Sequence, residues 1–152
     1  MLFRTHIAFS FLISLLFIHV LNTENQILFM ILVLFGSMLP DIDSLNSKIS
    51  NKIPILPKIL SLFVKHRGIF HSIFMALAIS YIIYLFTGYF SGFLIGYLSH
   101  LVADAMTKSG IAFLYPFSKK RVKGFIKTGF ISENLMFLGF LAGIIYTLIY
   151  IL

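Results

Sequence analysis

The sequence contains no cysteine. That excludes disulfides and thiolate metal sites, so any metal must be held by His, Asp, Glu, backbone or water. Charge is nearly as scarce: 11% of the 152 residues are charged, 59% are hydrophobic and the mean hydropathy is +1.00. This balance excludes an ordinary soluble globule and indicates an integral membrane protein, a single domain over residues 1–152. Acids are the rarest charged class, namely Glu24, Asp41, Asp43, Asp104 and Glu133. No internal repeat or low-complexity segment interrupts the chain, and no small-residue cleavage site follows the first apolar run. The net charge of +7 raises nucleic acid as a partner, but in a membrane protein it bears first on topology, and no nucleic acid is expected.

What is present is a series of apolar runs separated by short polar links. A first span follows Arg4 and includes Ile7–Ile18, with His6 at its start. The link Asn22-Thr23-Glu24-Asn25-Gln26 suits a tight turn into a second, short span from Ile27 to about Leu39. Pro40 disfavours helix in Leu39, which predicts that the helix stops there and releases Asp41-Ile42-Asp43 as extended chain, both carboxylates on one side. Residues 44–65 change character, and Lys58, Ser61 and Lys65 line one face of a short interfacial helix. His66-Arg67-Gly68-Ile69-Phe70-His71-Ser72 opens a third run to Phe86, and Gly68 permits a turn that brings His66 and His71 to one site. Thr87-Gly88-Tyr89 makes the third and fourth spans antiparallel. The last span runs from Leu135 to Leu152, so the expected fold is an all-α membrane bundle of about five transmembrane helices.

The fourth span organises the rest. Gly92, Gly96, His100, Asp104 and Lys108 recur every four residues, one stripe on a helix that drifts by about 40° per step. Its glycine half admits a close helix, within this chain or from another copy. Its other half sets an imidazole beside a carboxylate, a two-point metal clamp or else a pair of interfacial polar residues.

Every lysine and arginine falls within residues 1–6, 40–71 and 105–134, whereas Glu24 alone charges the opposite side. The positive-inside rule therefore predicts a cytoplasmic N-terminus, two long cytoplasmic loops and an external C-terminus. The same topology gathers His6, Asp41, Asp43, His66, His71, His100 and Asp104 at one membrane surface, which marks a functional site. His19 stands alone toward the other side and reads as a satisfied or lipid-interface histidine. The basic, aromatic stretch Phe113–Phe130 reads first as a membrane-surface anchor for anionic lipid, and secondarily as a phosphate holder.

Pro40-Asp41-Ile42-Asp43, the HRGxxHS element at 66–72, Ser99-His100-x-x-x-Asp104-x-x-Thr107-x-x-Gly110 and Pro116-Phe117 together resemble the YdjM-like family of membrane-bound metal-dependent hydrolases, over roughly residues 4–120. That family is similar in its His/Asp pattern to the zinc-dependent phospholipase C and single-strand nuclease superfamily. The resemblance implies metal ligation by His6, Asp41 or Asp43, His71, His100 and Asp104, with His66 as a further ligand or a group supporting one. The superfamily's late His-xxx-Glu pair is missing, since no histidine follows His100 and Glu133 is the one later acid. One or two ions are therefore expected rather than three.

The function expected from all this is hydrolysis of a phosphate ester at the cytoplasmic membrane surface. Nitrogen and oxygen donors suit zinc best, with manganese or iron as alternatives. Asp41 or Asp43 is the expected bridging carboxylate, and Arg67 and Lys108 the expected phosphate partners. A metal or proton-coupled transporter, or a protein whose metal only fastens helices together, would use some of the same residues. Transporters, however, usually bind near the bilayer midplane on broken helices. Substrate and oligomeric state are not encoded legibly.

Overall fold

The computed structural model describes residues 1–21, 23, 25–43 and 68–150, with the side chains of His19, Ile42 and Asp43 excluded. The expected interfacial helix at 44–65 thus lies outside the described residues. Five α-helices account for most of the rest: α1 (Phe3–Leu21), α2 (Gln26–Met38), α3 (Ile73–Thr87), α4 (Ser91–Ala105) and α5 (Ile131–Tyr150). Two 3-10 turns, Leu39–Asp43 and Ile69–His71, stand before and after the long undescribed segment.

Local chemistry explains the ends. Asn25 caps α2 by accepting from Leu28 N, and Ser72 caps α3 by accepting from Met75 N. Gly88, at φ 73°, ends α3 in the left-handed conformation and donates its N–H to Tyr84 O, so the chain reverses into α4 within three residues. Proline does not release extended chain after α2, contrary to the sequence expectation. The backbone tightens into 3-10 winding through Pro40, and the period-two argument for Asp41 and Asp43 facing one side falls with it.

α4 is central. It packs against α1, α2 and α3, while α5 packs against α1. The glycine stripe makes the α2–α4 contact within the chain: a Cβ on Gly96 would lie 1.9 Å from Val33 O, and one on Gly36 2.3 Å from Phe93 O. Close backbone approach of this kind is what small residues provide between membrane helices, where water exclusion supplies no drive. Around it Phe93, Tyr97, Leu101 and Leu32 are buried.

The outer helices show the opposite pattern. Leu135, Leu138, Ile145 and Ile149 on α5, and Leu77, Tyr81, Ile82 and Leu85 on α3, are exposed. Among the described residues, α5 is the one helix long and apolar enough to cross a membrane by itself. The 13-residue α2 and the 15-residue α3 rise only about 20–22 Å against a hydrocarbon core of roughly 30 Å.

α5 begins at Ile131, four residues before the expected start, which puts Glu133 in its first turn. Glu133 is fully buried, and its two oxygens accept from Leu2 N and Gly129 N at 2.6 Å each. Arg4 reinforces this junction, donating to Asn134 Oδ1 and lying over the Phe137 ring. The start of α1 is thereby fixed to the head of α5, and His6 with it.

Candidate metal centre

Four segments converge at one end of the bundle. His6 comes from the first turns of α1, Asp41 from the 3-10 turn after α2, His71 from the 3-10 turn before α3, and His100 and Asp104 from successive turns of α4. The three histidines and Asp104 are at most 2% exposed, whereas the Asp41 side chain is 22% exposed and forms the open edge.

The contacts form a closed circuit. His6 Nε2 is 3.4 Å from Asp104 Oδ1, and His71 Nε2 is 3.7 Å from Asp104 Oδ2 and 3.8 Å from Asp41 Oδ1. His100 Nε2 completes it at 3.7 Å from Asp41 Oδ1. His6 stacks on His100 with ring centroids 4.0 Å apart, and His71 meets His100 edge-on. Two donor sets result, His6–His100–Asp104 and Asp41–His71–His100, each with its ligand atoms within 4.8 Å of one another. His100 is common to both.

The tautomer of His100 follows from its neighbour. Ser37 O lies 2.7 Å from Nδ1, and a carbonyl only accepts, so Nδ1 carries the proton and the Nε2 lone pair faces the cluster. Ser37 O is available because it is among the last four carbonyls of α2, which lack helical partners. A histidine held through one nitrogen and presenting the other is the usual arrangement of a metal ligand. The α-amino group of Met1 approaches the same site, 2.7 Å from Asp104 Oδ1.

A divalent cation fits these groups. Nδ1 of His6 and Nε2 of His100 are buried without a hydrogen-bond partner among the described residues. Burying such polar atoms is costly unless something satisfies them. Nitrogen and carboxylate oxygen donors without sulfur suit zinc, and also manganese or iron.

The structure brings together five of the seven metal-ligand candidates, His6, Asp41, His71, His100 and Asp104. The Asp43 side chain, His66 and Arg67 lie outside what is described. Lys108 corrects an expectation: α4 ends at Ala105, so the four-residue stripe stops at Asp104 and Lys108 lies exposed in the following turn. Three supporting features were not foreseen, namely Ser37 O, the Met1 amine and the buried Tyr97. Tyr97 donates to Phe70 O at 2.5 Å and so holds the backbone beside His71. The signal for the first was Pro40, which marks where helical carbonyls lose their partners.

The chain matches the YdjM inner membrane protein family over residues 1–151. It belongs to that family. It is 37% identical over 108 residues to the uncharacterized protein YvsG of Bacillus subtilis (strain 168), an alignment covering 68% of each chain. It is 33% identical over 87 residues to the inner membrane protein YdjM of Escherichia coli (strain K12), covering 52% of this chain and 44% of that protein. The chain therefore spans less than half the length of that relative. No solved structure matches. Membership in an inner membrane protein family supports the same location for this chain.

Proposed function

We propose that this protein is a metal-dependent hydrolase of phosphate esters, embedded in the inner membrane as a bundle of about five spans with its site at the cytoplasmic face. The observation that carries the reading is the pair of buried donor sets sharing His100, with Asp41 at an open edge. A metal that only fastened helices together would be better served by a closed set. The ligands lie at helix ends and in 3-10 turns rather than on a broken helix at mid-bundle, which favours an enzyme over a transporter.

Asp104 would hold the ion from the α4 side, with His6 and His71 on its two different oxygens. Asp41, which meets both its histidines through one oxygen, would hold the ion from the open edge. When bound, the divalent ion supplies Lewis acidity toward water and the phosphoryl oxygen. The chemistry is a hydrolysis: water oxygen bonds to phosphorus, the ester P–O bond breaks, and water's protons pass to the leaving alkoxide and the product. Arg67, directly before Gly68, is the side chain suited to grip the phosphate in two-point fashion.

In vesicles, the protein is expected to hydrolyse a soluble chromogenic phosphodiester slowly and an amphiphilic one faster. A chelator abolishes both activities, zinc or manganese restores them, and Asp104→Asn abolishes them in protein that still folds. A folded, metal-loaded preparation that moves metal across the vesicle wall and cleaves no ester establishes the transporter instead. The topology is tested separately with single cysteines replacing Lys123 and Asn25. An impermeant thiol reagent applied to intact cells should label the second and spare the first; the reverse pattern would put the site outside.

A further inference from the structure

Among the described residues, Glu133 is the one buried acid outside both donor sets. It stands in the first turn of α5 and bonds to the chain just ahead of α1, so the positive ends of two helix dipoles favour its negative charge. Both of its oxygens are engaged with main-chain donors, Leu2 N and Gly129 N at 2.6 Å each. A carboxylate used in this way ties three points of the chain together rather than serving as a late ligand.

Leu2 transmits the hold to His6. Its N–H is donated to Glu133, while its carbonyl accepts from Thr5 N at 3.0 Å and from His6 N at 3.3 Å. One residue, fixed at its N–H, therefore closes the first turn of α1 with its carbonyl, and His6 ends that turn at 2% exposure. Farther along, α1 and α5 are joined by other means. Phe9 packs on Phe140 with ring centroids 4.8 Å apart, and a Cβ on Gly143 would lie 3.1 Å from Leu12. Glu133 thus governs the first turn of α1 and not the docking of the whole helix. Asp41, His71 and His100 come from segments other than α1 and α5.

We infer that Glu133 is a positioning residue of the metal centre, setting His6 through Leu2. The His6–His100–Asp104 set then depends on the junction of α1 with α5, whereas the Asp41–His71–His100 set does not. This rests on the metal-binding part of the hydrolase reading and adds to it a residue that touches neither ion nor substrate. Glutamine at 133 keeps the shape but replaces one acceptor oxygen by an NH2 donor, so either Leu2 N or Gly129 N loses its partner.

The test uses full-length protein in phosphatidylcholine vesicles. In chelated protein, modification by diethyl pyrocarbonate, read at each histidine by mass spectrometry, reports exposure without metal or turnover. Glu133→Gln should raise modification of His6 about fivefold or more and leave His71 and His100 within about twofold, the pattern of local opening. Zinc affinity of the same variant should fall about tenfold, the lower end of the ~10–100-fold cost of removing a group that supports a ligand. In a His6→Ala background the substitution should change zinc affinity by less than about twofold, because the two residues then act as one unit. Unchanged His6 modification, or an equal rise at His71 and His100, overturns the inference, as does an equal zinc loss with and without His6. Arg4→Ala breaks the exposed brace to Asn134 with Glu133 in place. It should give the same pattern more weakly, and it decides the matter if Glu133→Gln does not fold, no change at His6 then overturning the inference. Wild-type protein that binds no zinc, with His6 still exposed by Glu133→Gln, refutes the metal-binding reading alone.

Discussion

His100→Ala is expected to empty the site of metal and to reduce phosphodiester hydrolysis to the rate of chelated protein. His100 belongs to both donor sets, and its Nδ1–H on Ser37 O holds the ring with Nε2 turned inward. Removing a group that merely orients a ligand costs roughly 10–100-fold in metal affinity or activity, and removal of a shared ligand should exceed that. His6→Ala, by contrast, leaves Asp41, His71 and His100 in place, so its bound metal should fall only in part. His19→Ala should retain metal and activity. Elemental analysis of the three purified variants, with rates on the same samples, separates these outcomes. Metal retained in His100→Ala, or lost equally in His19→Ala, would refute the site as drawn.

Chelation is expected to lower the thermal stability of the protein itself, before any substrate is added. The cluster joins α1, α4 and the 3-10 turns bordering α2 and α3, so an ion held there binds the folded bundle and not the separated segments. At a free metal concentration of about 100 Kd, such binding stabilises by about 2.7 kcal/mol. By the scaling for domains of this length, that corresponds to a Tm shift of about 5–10 °C. The shift should disappear in His100→Ala, which has no ion to lose. Thermal scans with and without chelator report it directly, and superimposable wild-type scans would remove the metal from the account of stability.

Much of this was legible in the sequence because membrane proteins separate their chemistry sharply. Every ligand candidate stood at the end of an apolar run, and the four-residue step from Gly96 to His100 to Asp104 predicted one helix face that is close-packed at one end and ionisable at the other. The partner of that face was not legible. Gly96 meets Val33 and Gly36 meets the Phe93 carbonyl, a pairing fixed by three-dimensional fit between helices that periodicity cannot specify. Backbone chemistry accounts for the rest of the differences. Pro40 ends the α-helix, yet its fixed φ is also compatible with the 3-10 winding that carries Asp41 to His71 and His100. The four-residue step reaches Lys108 in sequence but says nothing about where a helix stops, and α4 stops at Ala105. The burial of Glu133 is not legible either, because it depends on Leu2 and Gly129, more than a hundred residues apart in sequence.

The most direct measurement is a zinc titration of chelated protein in vesicles, with bound zinc and hydrolysis of a long-chain phosphodiester read from the same samples. Hydrolysis is expected to rise with bound zinc, to saturate with it, and to be absent at every zinc level in Asp104→Asn. Full zinc occupancy with no cleavage of any ester across a broad phosphate panel would contradict it.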